Sequence, residues 1–158
     1  MSAASPSTAR KLLGALALGS VVAAAPAAAE LAAWDQARVT AIAGQWADAA
    51  DAWQQALRDQ PGGQIGSGDA EQAFGLGQKA EALHVQTRAL AGHLAKGEGY
   101  DKTRNYYRDV KELVDDSDEL AQRAELDEPT MDAWAKVVDL QRQIAPYYDP
   151  KADAETAP

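Results

Sequence analysis

The residues of this chain best suited to metal chemistry are a glutamate and a histidine on one helical segment. Glu81 and His84 are three positions apart, and a carboxylate and an imidazole at this spacing project together from a helix, as they do around iron pairs in helical bundles. Such a site needs a second Glu-x-x-His pair, which the sequence lacks. The other histidine, His93, projects from nearly the opposite side of the helix. We therefore predict no metal site, and retain Glu81, His84 and Met131 as the candidates for one.

Other cofactor and catalytic patterns are also incomplete. A non-covalent haem would need an axial histidine or methionine, and Met131 is the one methionine after the initiator. The chain has no cysteine, which excludes disulfides, thiolate metal ligands and cysteine nucleophiles. The acidic run at 115–128 lacks the spacing of a calcium loop, and the glycine-rich stretch 62–68 lacks that of a phosphate loop. We predict that the chain is not an enzyme and holds no cofactor.

The charge balance restricts the class of partner. Lys and Arg number 15 against 24 Asp and Glu, which gives a formal net charge of −9. Binding of nucleic acid or of anionic lipid depends on clustered basic side chains. We therefore expect no nucleic-acid partner. The expectation that the partner is another protein comes from the aromatic residues and the repeat-like stretch described below.

The first 29 residues have the composition of an export signal. They contain no Asp or Glu, a basic pair at Arg10 and Lys11 precedes an apolar run at 12–25, and three alanines stand directly before Glu30. We predict a signal peptide over 1–29, cleavage before Glu30, and a periplasmic or secreted bacterial protein with no membrane span after cleavage. The alternative is a membrane anchor formed by the same apolar run.

The remainder of the chain, residues 30–148, favours helix. Ala, Leu, Gln, Glu, Lys and Arg dominate it, and its apolar residues recur every three to four positions. Helices are predicted from about Leu31 to Gln60, from Asp69 to about Lys96, from Asp101 to about Leu126, and from near Pro129 to Pro146. Short connections place neighbouring helices antiparallel, so the predicted fold is an all-α, up-down antiparallel bundle of about four helices. The polar tail 149–158 is predicted to be disordered.

Each predicted helix carries one apolar stripe for the core. In the second helix the stripe has the spacing of a heptad seam: Leu76, Ala80, Leu83, Thr87, Leu90 and Leu94. In the fourth helix it includes Met131 and Trp134. Four aromatic residues lie outside the main stripes and are candidate contacts for a partner protein, the alternative being residues at the edge of the core: Trp34, Tyr100, Tyr147 and Tyr148.

One stretch, Gly44-x-Trp46-x-x-Ala49-x-x-x-Trp53-x-x-Ala56-Leu57-x-x-x-Pro61, resembles the second helix of a tetratricopeptide repeat. The resemblance implies a helical hairpin over residues 31–61 and supports a role in protein binding. The first helix lacks the aromatic pattern of that family. The alternative is one unbroken helix, because the apolar stripe continues through Gly44.

Two functional hypotheses follow from the sequence. The first is an exported, non-catalytic helical protein that serves as a protein-interaction or scaffold module. The alternative is a periplasmic four-helix bundle that binds a ligand, a metal or haem without covalent attachment. The alternative requires Glu81, His84 and Met131 to point into the bundle.

Overall fold

The computed structural model describes residues 31–60 and 70–149, with the backbone alone for 70–73. Four helices follow one another in this part of the chain: α1 (Gln36–Asp59), α2 (Ala70–Ala95), α3 (Tyr100–Arg123) and α4 (Glu128–Ile144), with a single 3-10 turn at Ala145–Tyr147. The described ranges contain no strand, and the all-α prediction is confirmed. The predicted signal peptide, the start at Asp69 and the tail from 150 onward lie outside the described residues.

Side-chain caps and a glycine set the helix boundaries. The Asp35 carboxylate accepts from the Arg38 backbone N–H at 3.0 Å, and Asp127 accepts from that of Thr130 at 3.0 Å. Both contacts satisfy a donor that a helix start otherwise leaves without a partner. After α2, Gly97 has a φ of +80°, which lets the chain reverse within the few residues before α3.

Contacts between helix ends establish the up-down order. The Gln36 side-chain amide donates to the Leu94 carbonyl at 2.9 Å, so the start of α1 meets the end of α2. The Ala32 N–H donates to the Pro146 carbonyl at 2.8 Å, which joins the same end to the exit from α4. The predicted antiparallel bundle is therefore confirmed.

The four helices do not pack equally on one another. Helix α1 lies between α2 and α4, and α3 packs on α2. Few residues of α3 approach α4 closely, so these two helices are in contact mainly through long side chains. The Trp134 indole N–H, for example, donates to the Asp118 carboxylate at 3.0 Å. The side of the bundle between α3 and α4 is therefore its most loosely packed side.

The core contains the predicted stripe of α2 and the apolar face of α1. The six seam positions of α2 are all buried, as are Val39, Ile42, Trp46, Ala49 and Trp53 of α1. The rings of Trp53 and Trp134 are 4.5 Å apart. Burial of a large apolar side chain contributes about 1.5–3 kcal/mol, so these aromatic residues are major contributors to the bundle's stability.

Two sequence-based expectations need correction. The first concerns the implied helical hairpin. Residues 36–59 form one continuous helix, as in the alternative of an unbroken helix, and no hairpin forms within this segment. Nothing lies within 4 Å of a Cβ placed on Gly44, and the apolar stripe runs through it. Met131 is 41 % exposed and does not belong to the core stripe of α4. Thr130, one turn before Trp134, takes the inner position instead. The wider resemblance to the repeat family stays a prediction.

Within the described ranges, none of the helices combines the length and the apolar character that crossing a membrane requires.

Candidate functional site

The residues considered for a metal site do not converge. Glu81 and Met131 are both exposed, so neither points into the bundle. His84 faces α1, where its Nδ1 lies 3.4 Å from an Asp51 oxygen. His93 interacts with a different carboxylate, since its Nδ1 lies 2.9 Å from a Glu98 oxygen. The part of the chain that the structure describes holds no group of three or more potential metal-ligating side chains.

Five aromatic residues instead gather at one end of the bundle, where the segment before α1, the start of α3 and the 3-10 turn meet. We call this group the aromatic cluster: Trp34, Tyr100, Tyr107, Tyr147 and Tyr148. The Trp34 ring centroid is 5.4 Å from that of Tyr148, with the planes nearly perpendicular. Tyr148 in turn stacks on Tyr107 at 4.4 Å and 8°. Both arrangements are favourable aromatic geometries.

The cluster contains all four aromatic residues proposed as contacts, and two of them are buried, as in the alternative of residues at the edge of the core. Tyr147 and Tyr148 are only 8 % and 7 % exposed, so they belong to the edge of the core. The physical reason is that the 3-10 turn folds them back onto the bundle. Trp34 and Tyr100 are half-buried, and the Trp34 indole N–H donates to the Gln36 side chain at 3.0 Å.

An open groove of about 390 Å³ runs beside the cluster along α3. We call it the α3 groove. It is lined by Tyr100, Arg104, Asn105, Tyr107, Arg108, Lys111, Tyr148 and Asp149. Arg104, Asn105 and Arg108 are exposed, so the groove opens to solvent on that side. The buried Tyr107 and Tyr148 form its rigid inner wall.

The helical repeat explains why these residues share a surface. Tyr100, Arg104, Tyr107, Arg108 and Lys111 are separated by steps of one, three or four positions, and residues three and four apart are neighbours on a helix face. The groove therefore presents two phenol rings and three cationic side chains from one helix.

The three cations differ in their partners. Lys111 Nζ lies 2.7 Å from an Asp115 oxygen, and this hydrogen bond raises the lysine pKa. Arg108 Nη2 lies 3.2 Å from an Asp109 oxygen. Arg104 forms no salt bridge with another described residue. Its guanidinium is therefore the cation that remains available to an incoming carboxylate.

Tyr107 supplies the second notable group of the groove. The residue is 4 % exposed, and its hydroxyl is buried without a hydrogen-bond partner among the described residues. Burial raises its pKa, and the nearby carboxylates of Asp149 and Asp115 raise the pKa further. The phenol therefore keeps its proton and acts as a donor. A buried donor without an acceptor costs about 1–3 kcal/mol.

Arg104, Tyr107, Arg108 and Lys111 were not among the site residues predicted from the sequence. A usable signal was present, because the aromatic and basic residues between 100 and 111 recur on one helix face. The missing information was the position of Tyr148, which the C-terminal turn brings against α3.

Comparison of the chain with protein-family models, with curated proteins and with solved structures found no match.

Proposed function

We propose that the chain is an exported, non-catalytic protein that binds another protein, and that the α3 groove is the surface of contact. The observation that carries this proposal is the composition of the groove. Tyrosine and arginine are the residue types enriched at the energetic centres of protein interfaces, and here they share one face of α3.

The architecture behind the groove supports the same function. A binding surface loses less entropy on association when its side chains are already fixed. Tyr148 is fixed by its stacking on Tyr107 and by a 2.8 Å hydrogen bond between its hydroxyl and that of Thr103. The exposed arginines can then adapt at the rim. Small-molecule sites are typically more enclosed and more apolar than this groove.

Export is supported by the N-terminal sequence. The basic pair, the apolar run and the alanines before Glu30 have the order of a signal peptide. Cell fractionation followed by N-terminal sequencing tests this part. We expect the mature protein outside the cytoplasm and beginning at Glu30, and a cytoplasmic protein that retains its first residues would contradict it.

Site-specific photocrosslinking in the source cells tests the binding function. A benzophenone amino acid is placed at Asn105, which is exposed in the groove, and in a matched protein at Gln122, which is exposed further along the same helix. We expect a discrete protein adduct at position 105 and none at position 122. Equal adducts at both positions, or no adduct at 105, would refute the groove as the contact surface.

A further inference from the structure

We infer that the α3 groove recognises an extended peptide segment carrying an acidic side chain, supplied by the partner protein. The inference rests on the proposed function and specifies the chemistry of the partner. Its two elements are the guanidinium of Arg104 and the hydroxyl of Tyr107, which stand three positions apart on one face of α3.

Arg104 supplies the charge selectivity. Guanidinium groups bind carboxylates through paired N–H donors, and Arg104 is the groove cation without a salt bridge inside the described ranges. The one carboxylate of the lining, Asp149, already has an interaction of its own. Of the three cations in the lining, Lys111 is paired with Asp115 and Arg108 with Asp109. The preference for an acidic over a basic segment therefore rests on Arg104.

Tyr107 supplies a hydrogen bond that does not depend on the charge of the ligand. Its protonated hydroxyl requires an acceptor. The nearby carboxylates Asp115 and Asp149 oppose an anion at this point, whereas the carbonyl oxygen of a peptide backbone is a neutral acceptor. We therefore assign the Tyr107 hydroxyl to a main-chain carbonyl and Arg104 to the acidic side chain. The hydroxyl is covered in the free protein, so a carbonyl can reach it only after a side chain of the groove lining has moved aside.

Two model peptides test this assignment: acetyl-Ala-Leu-Glu-Leu-Ala-amide and its counterpart with Gln in place of Glu. Each is titrated into the isotope-labelled full chain, and backbone amide shifts are followed by NMR. We expect saturable shifts of the amides between Tyr100 and Lys111. The Glu peptide is expected to bind about threefold or more tightly than the Gln peptide, as for a partly exposed charge pair.

The variants separate the two contacts. Arg104→Gln is expected to abolish the preference for the Glu peptide, whereas Tyr107→Phe is expected to weaken both peptides equally, by about three- to tenfold. Lys136→Gln, on α4 and outside the groove lining, is the matched control and leaves both affinities unchanged. Equal affinity of the two peptides for the wild-type protein, or unchanged binding by Tyr107→Phe, would overturn the inference.

Two other occupants of the groove are outcomes of the same experiment. If residues 150–158 of the chain fill the groove, ending the chain after Asp149 shifts the groove amides without any peptide. If a second copy fills it, the amide shifts depend on protein concentration. Either result would overturn the inference. An adduct at position 105 in the crosslinking experiment together with no peptide binding would refute the acidic segment and leave the proposed function standing.

Discussion

Removal of one hydroxyl group from each of two stacked tyrosines is expected to change stability in opposite directions. In Tyr107→Phe the lost hydroxyl is buried and has no partner within the described residues. In Tyr148→Phe the lost hydroxyl makes a 2.8 Å hydrogen bond with Thr103. The two rings stack at 4.4 Å and 8°, so both substitutions leave the same ring stack in place, and only the hydrogen bonding differs.

The magnitudes follow from the cost and benefit of hydrogen bonds. Tyr107→Phe relieves an unsatisfied buried donor and is expected to raise the free energy of unfolding by about 1 kcal/mol. Tyr148→Phe loses the hydrogen bond to Thr103 and is expected to lower the free energy of unfolding by about 1 kcal/mol. The Thr103 hydroxyl keeps its 3.0 Å bond to the Gly99 carbonyl, so no new unsatisfied group adds to that loss. The variants should therefore differ by about 2 kcal/mol.

Urea unfolding followed by circular dichroism measures both free energies, and coincident transitions by tryptophan fluorescence check two-state behaviour. We expect a higher urea midpoint for Tyr107→Phe and a lower one for Tyr148→Phe than for the wild type, with unchanged slopes. Destabilisation by Tyr107→Phe would show that its hydroxyl has an acceptor, and would refute the account of the groove as a site with an unused donor. If Tyr107→Phe is both more stable than the wild type and weaker in peptide binding, the Tyr107 hydroxyl is a group retained for binding at a cost in stability.

Three further predictions concern pH, glycine and helix capping. Burial raises the pKa of Tyr107 in the folded protein, so the stability that this group contributes is fully present below the ordinary tyrosine pKa of about 10 and is lost as the pH rises above it. The free energy of unfolding in urea should therefore fall less steeply with pH for Tyr107→Phe than for the wild type, and an identical fall would contradict the burial of the hydroxyl. Gly44→Ala should raise the thermal midpoint, by about 1 kcal/mol in stability, because Gly44 is inside α1 with open space around it. Gly97→Ala should lower the thermal midpoint by a similar amount, because Gly97 has a φ of +80°. A rise in the midpoint for Gly97→Ala equal to that for Gly44→Ala would argue against the described turn. Asp127→Ala should cost about 1 kcal/mol in urea unfolding through loss of the cap to Thr130, whereas Asp127→Asn should be nearly neutral; an equal loss in both would indicate a charge effect instead.

The fold was accessible from sequence because apolar periodicity was strong. The seam from Leu76 to Leu94 is buried at every predicted position. The position of Met131 could not be obtained in this way. The apolar pattern placed Met131 in the stripe of α4, but Thr130 stands one turn before the buried Trp134 and takes the inner position.

The candidate site was less accessible, because it depends on contacts between distant segments. Tyr147 and Tyr148 looked peripheral in sequence, but both are buried after α4. Tyr148 packs against Tyr107 of α3, and Tyr147 packs against Trp34. Likewise, the pattern of α3 does not reveal that the Tyr107 hydroxyl lacks an acceptor. That property arises from what surrounds the side chain in three dimensions.

The central claim is that the α3 groove, rather than another exposed surface, contacts the partner. The most direct test is an NMR map of the isotope-labelled protein titrated with the partner that the position-105 adduct identifies. We expect amide shifts concentrated between Tyr100 and Lys111 and at Tyr148. Shifts centred on the outer face of α2, where Phe74 and Val85 are 67 % and 55 % exposed, with an unperturbed groove, would contradict it.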